Sequence, residues 1–199
     1  LLIALDLRTD GPPDADARAT VRDALESVER AYPRSNEGLL FTVGYSPAYF
    51  RRFDADPPVS LPRPEALAPF EDPVADEPDL LVHLASDYGS VVLGAERALL
   101  GEREALNGVS VTGLDGVAER VDRRPGFTGA GLPAEHDDVD GVPEDAVDED
   151  APLYMGFKSG FEKNQAGEDR VTIDSGPFAG GTTQHASLIR LHLDQWYEQ

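Results

Sequence analysis

The pentapeptide Gly156-Phe157-Lys158-Ser159-Gly160 concentrates the residue types that do chemistry in this chain. A second glycine pair, Gly180-Gly181, follows it and opens an apolar stretch. Glycines at such places let backbone approach a ligand closely or adopt positive φ. Both lysines of the chain, Lys158 and Lys163, fall in or just after the pentapeptide, against fifteen arginines in the whole sequence. The loop thus offers a hydroxyl, an ammonium group and open backbone to a polar or charged ligand, with a second ammonium nearby at Lys163. The plainer reading is a long ordered connector.

Other chemistries fail on spacing. Ser159 stands fourth in its motif, so Gly-x-Ser-x-Gly is not formed, and no Gly-x4-Gly-Lys-Ser/Thr cradle for phosphate is present. With Gly141 at the sixth position of a calcium loop, His136, Asp138 and Asp140 fall at positions one, three and five. Position twelve, which needs a bidentate glutamate, falls on Val147, so calcium is not expected. His83 lies in an apolar run and reads as a core or half-buried histidine, and His136 lies in an acidic linker. His185 and His192 share a stretch but point to opposite faces of a strand, seven positions apart. No metal ligand is assigned. There is no cysteine, so thiolate chemistry and disulfides are absent.

The formal charge is −21, from 38 acidic and 17 basic residues. That field repels nucleic acid and anionic membrane surfaces. Acidity spread along a chain with almost no lysine is the habit of proteins from salt-loaded cells, where high salt screens self-repulsion. The first residue is Leu1, without an initiator methionine, a signal h-region or a bilayer-spanning run. The apolar end Leu191–Trp196 needs burial. Both ends give the expectation of a fragment of a longer protein.

The elements that must position the loop read as follows. Residues 1–7 form a buried strand, then a turn at Thr9–Pro13. From Asp14, Ala17, Val21, Ala24, Leu25, Val28 and Tyr32 recur at helical spacing, and Pro33 ends the helix. Gly38–Tyr45 is a second strand. Ser46-Pro47 supplies an N-cap and an N1 proline for a short helix to Phe53. Residues 54–78, with seven of the sixteen prolines, form an irregular excursion. Asp79–Ala85 is a third strand, and Ser86 or Asp87 caps a helix that Gly101 closes. Residues 109–123 give a fourth strand or a hairpin around Leu114-Asp115-Gly116.

The order is β-α-β-β-α-β over 1–124: an α+β, ferredoxin-like domain with helices on one face of an antiparallel sheet. Residues 125–152 read as an acidic Gly/Pro linker. Residues 153–199 carry the glycine loop and, over Thr182–Leu193, the first strand of a second, similar domain. That strand has His185, Ser187, Ile189, Leu191 and Leu193 on one face.

This succession resembles the dye-decolorising peroxidase superfamily, above all its acidic haloarchaeal branch. The family signature Gly-x-x-Asp-Gly corresponds to Gly156–Gly160. The family's following strand, Gly-Gly-Ser/Thr…Arg-Ile-Arg…Leu-Asp-x-Trp, corresponds to Gly180, Gly181, Arg190, Leu193, Asp194 and Trp196. The resemblance implies two ferredoxin-like domains, a haem cofactor, and peroxide reduction with oxidation of a small-molecule donor. It implies that Gly156, Phe157, Lys158 and Gly160 lie at the haem, with His185 a further candidate contact. The family's distal aspartate is replaced by Ser159, whose hydroxyl donates a hydrogen bond but is no general base near neutral pH. The proximal histidine and distal arginine of the family lie further along its second domain, so no residue here is assigned as axial ligand. The substitution keeps open a non-catalytic binding or structural module, or a chelatase-like haem-handling protein. The resemblance also implies export by a twin-arginine route rather than residence in a halophile's cytoplasm, and it is compatible with a homo-oligomer.

Overall fold

The computed structural model describes residues 1–61, 63–66, 68–129, 131–136, 138–142, 149 and 171–190. It is a mixed α+β structure that divides into two compact units, Leu1–Pro125 and Gly126–Gln199.

In the first unit, strands β1 (Leu2–Leu7), β2 (Leu40–Tyr45), β3 (Leu80–Ala85) and β6 (Ala118–Arg124) form one sheet in the order β2-β3-β1-β6. Every pairing is antiparallel. Two helices, α1 (Ala15–Ala31) and α3 (Gly89–Leu99), connect the strands. Alternation sets the faces: Ile3, Leu5 and Leu7 of β1 and Leu80, Val82 and Leu84 of β3 are buried. They share one core with Ala24, Val28 and Ala31 of α1 and Ala95, Ala98 and Leu99 of α3. The register stacks Ile3 on Val82 and Leu5 on Leu80, with Phe41 and Val43 of β2 opposite Leu84 and Val82.

Helix boundaries follow cap chemistry. Asp14 accepts a hydrogen bond from the Ala17 amide at 2.8 Å and starts α1, which ends before Pro33. Ser46 accepts from the Ala48 and Tyr49 amides and starts α2 (Pro47–Arg52), with Pro47 in the first turn. Gly101, at φ +74°, closes α3, its amide donating to the Ala98 carbonyl.

Three expectations are corrected. Neither Ser86 nor Asp87 caps α3; the N-cap is Tyr88, with no side-chain cap. Ser86 Oγ accepts from the Tyr88 amide, while the Asp87 carboxylate accepts from Asn36 Nδ2, so both polar groups are engaged on the approach loop. Of the fourth strand or hairpin expected over 109–123, the strand is present as β6, while the hairpin is centred before that span, in β4 (Ala105–Leu106) and β5 (Val109–Ser110). Its two-residue loop, Asn107 at φ +47° and Gly108 at φ +80°, has the left-handed geometry of a type I′ turn. Residues 111–117 are turn and loop, and Leu114-Asp115-Gly116 is not a hairpin tip. The long edge strand β6 follows it, carrying five charges in seven residues that hide its alternation.

The third correction falls in the second unit. Thr182–Leu193 was expected to be a strand. Thr182 makes one isolated bridge to Thr172, and 183–190 have no regular structure and are exposed. With no neighbouring strand among the described residues, no ladder satisfies that backbone. Residues 191–199 lie outside the described residues. The acidic stretch holds a short helix, α4 (Leu132–Glu135), framed by hydrogen bonds from the Leu132 amide to Gly129 and the Glu135 amide to Gly131.

Candidate functional site

The loop that the sequence singles out, with Gly156, Phe157, Lys158, Ser159 and Gly160, lies outside the described residues. So do Leu193, Asp194 and Trp196. What the structure does place is the glycine pair that follows. Gly180 sits at φ +81°, its amide donating to the Ile173 carbonyl at 2.9 Å. The Ile173 amide donates to the Gly181 carbonyl at 2.9 Å, and Thr182 Oγ1 to the Val171 carbonyl at 3.0 Å. The pair therefore closes a local turn over 171–182. The positive φ at Gly180 is what that closure requires.

His185 is exposed, with Nε2 3.1 Å from Ser187 Oγ. Arg190 is exposed as well, and His136 lies on an exposed turn. His83 is half-buried in β3 opposite Leu2 and Thr42. Burial, aided by the nearby chain-terminal amine, pushes its pKa down and favours the neutral ring. No group of three metal-ligating side chains occurs among the described residues.

The built polar geometry lies in the first unit, where two buried carboxylates anchor arginines. Asp79, next to β3, is 4% exposed at its side chain and accepts from the Leu7 amide at 2.8 Å and from Arg52 Nη1. Arg52 ends α2 and also donates through Nη2 to the carbonyls of Leu7, at 3.1 Å, and Thr9. The Asp79 amide donates to Asp6 Oδ1 at 3.1 Å. Around this node is an open recess of about 390 Å³ lined by Asp6, Leu7, Ala48, Arg52, Glu77, Asp79 and Glu119. Four carboxylates and one guanidinium line it; Arg52 is engaged three times, Glu77 also pairs with Arg51 and Arg63, and Glu119 with Arg8. Beside it, Tyr49 packs its ring 4.8 Å from Tyr45 and edge-on to Phe50 and Phe53. Burial raises both phenol pKa values, helped at Tyr49 by Asp79 and at Tyr45 by Tyr49, so both stay protonated at neutral pH.

Glu96 of α3 is the second node. Its carboxylate accepts from Arg123 Nε at 2.5 Å, Arg123 Nη2 at 2.9 Å and Arg120 Nη1 at 3.1 Å. The Arg123 hydrogen bond, with the charges of Arg123 and Arg120, holds its pKa below the usual carboxylate range against the opposing effect of burial. The two arginines reach it together because β6 is irregular. Ile3 pairs with Arg123 and Leu5 with Arg120, and the register shifts between Ala4 and Leu5, leaving Val121 over. Both arginines thereby share the helix-covered face.

The chain belongs to the family of unknown function DUF7405. The family model matches residues 1–199, the whole stretch that carries the sheet, both carboxylate nodes and the glycine loop. No curated protein and no solved structure matches. Among the described residues of this DUF7405 chain, no helix is long and apolar enough to cross a membrane.

Sequence reasoning missed both nodes. Arg52 and Asp79 are 27 residues apart, as are Glu96 and Arg123. No local spacing announces such pairs. The one available signal was the charge crowding of Arg120-Val121-Asp122-Arg123-Arg124, which an exposed edge explains equally well.

Proposed function

We propose that the chain is a haem-dependent peroxidase-like protein in which Gly156–Gly160 forms the loop over the distal side of haem. In this reading residues 1–124 are a ferredoxin-like split β-α-β domain. An acidic linker over 125–152 follows, and residues 153–199 carry the distal loop and the beginning of a second, similar domain. The observation that carries it is the sheet order β2-β3-β1-β6, with α1 and α3 in one core, placed ahead of Gly-Phe-Lys-Ser-Gly. A β-α-β-β-α-β chain whose helices cover one face gives that order, with its fourth strand beside its first.

Haem, when bound, supplies the redox centre for peroxide. The chain's own contribution is at Ser159. A carboxylate there takes a proton from one peroxide oxygen and returns it to the other, a contribution of about 10²–10⁴ in rate. The serine hydroxyl donates one neutral hydrogen bond and cannot shuttle that proton. In this reading the axial ligand stands outside residues 1–199.

The experiment is a haemin titration of the full-length protein at molar salt, followed by peroxide-driven donor oxidation. A shifted Soret band with saturable binding is expected. Ser159→Asp is expected to raise donor oxidation by about 10²-fold or more, and Ser159→Ala to change it far less. If haemin binds and neither substitution moves the rate, Ser159 does not lie at the peroxide. The presence of Ser159 itself favours a second reading, a non-catalytic module that keeps the fold. Absence of any Soret shift on titration would select it.

A further inference from the structure

We propose that Asn107 is a site of spontaneous deamidation whose product releases the tip of the β4–β5 hairpin from helix α1. Asn107 is the one asparagine of three, with Asn36 and Asn164, that precedes a glycine. Gly108 has no side chain to shield its backbone nitrogen, and a Cβ built there meets nothing within 4 Å. Both turn residues are exposed. The reaction needs water and no other partner. The Gly108 nitrogen attacks Asn107 Cγ and forms a C–N bond. The Cγ–Nδ2 bond breaks, and ammonia leaves carrying the Gly108 amide proton. Water then opens the succinimide ring at either carbonyl and leaves aspartate or isoaspartate at position 107.

The structure sets both the rate and the consequence. Asn107 Nδ2 donates to the Ala31 carbonyl at 2.9 Å, which ties the hairpin tip to the last residue of α1. While that bond is made, the carboxamide is committed to Ala31 and the turn is held at positive φ, so reaction proceeds through molecules whose hairpin has opened locally. Afterwards the tie cannot re-form. A carboxylate accepts hydrogen bonds and donates none, and the Ala31 carbonyl is an acceptor at the negative end of the helix dipole. A donor facing an acceptor becomes two acceptors in apposition. The second hairpin-side tie, the Thr112 amide donating to buried Ser27 Oγ at 3.2 Å, is untouched, so opening is confined to the tip.

The test uses the whole folded chain at molar salt and mildly alkaline pH, sampled over weeks by peptide mass mapping and enzymatic isoaspartate labelling. Asn107 is expected to convert faster than Asn36 and Asn164, and faster still in urea. Fresh Asn107→Asp protein is expected to exchange the amide hydrogens of residues 105–110 about tenfold faster than wild type, with the sheet unchanged. Asn107→Gly suits the positive φ and lacks the carboxamide, so it is expected to exchange equally fast and never convert. An intact Asn107 in samples where Asn36 or Asn164 has converted overturns the site. Wild-type exchange in both variants overturns the release.

Discussion

Glu96 illustrates how much one side chain carries. It is a carboxylate 6% exposed at its side chain, held by two arginines that each keep about a third of their surface in water (33% and 39%). Glu96→Gln keeps the shape and removes the charge, leaving two guanidinium groups beside a neutral amide. The expected cost is about 1–3 kcal/mol, below that of a fully enclosed pair because solvent reaches the arginines. The pH dependence has a definite sign. Glu96 has a folded-state pKa below its unfolded one, so its contribution is complete above the ordinary carboxylate pKa and disappears as pH falls through the depressed value. The gap between wild type and Glu96→Gln is therefore expected to be constant at neutral pH and to narrow only in acid. Urea melts of both proteins at several pH values, in molar salt, check this. A gap independent of pH down to strong acid would mean that the ion pairs do not act.

Among the elements, α2 shows how a short helix is held by side-chain contacts outside its own backbone. Six residues are too few to be helical on their own. Its hold on the sheet comes from Phe50, which is buried, and from Arg52, which bridges Asp79 and the carbonyls of Leu7 and Thr9. Arg52→Ala leaves a buried carboxylate with the Leu7 amide as its remaining donor in this set, at an expected cost of about 2–4 kcal/mol. Adding Asp79→Asn is expected to return part of that loss, because the stranded charge is gone. A double-mutant cycle by chemical denaturation measures the coupling, and additive losses would show that the two groups act independently.

The same scale explains what the sequence discloses. The three apolar strands, α1 and α2 are legible because periodicity and caps such as Asp14 and Ser46 agree locally. β6 was blurred because Arg120, Asp122, Arg123 and Arg124 interrupt its alternation and a bulge breaks its period. The Asn107-Gly108 turn carried the clearest hairpin signal in the chain. A second turn signal further along, Asp115-Gly116, competes with it in the sequence. Thr182–Ile189 has strand composition, yet composition supplies no partner. Of the candidate site, the glycine pair was recognised as conformationally special, and its role in closing 171–182 is local geometry that spacing alone does not specify.

For the molecule as a whole, charge is the dominant variable. A net −21 on 199 residues opposes compaction, and the ion pairs of the first unit offset only part of it. Screening shortens the reach of that repulsion from about 10 Å at 0.1 M salt to about 3 Å at 1 M. The melting temperature is expected to climb steadily between those limits, with chloride and sulfate salts compared at equal ionic strength to separate screening from exclusion effects. A melting temperature indifferent to salt would mean that the acidity does not limit folding.

The bulge in β6 has a consequence for how the chain tolerates change in length. Val121 is half-exposed and stands opposite no partner of its own in the register. Losing it would bring Asp122 directly after Arg120 and restore an unbroken alternation. Arg120 would still lie opposite Leu5 and Arg123 opposite Ile3. A residue lost from β3 has no such slack: beyond the gap, each apolar side chain of that central strand would turn from the core to the opposite face. The chain thus holds one position where its reading frame against the neighbouring strand is adjustable, at the sheet edge, and keeps the frame fixed where strands lie on both sides.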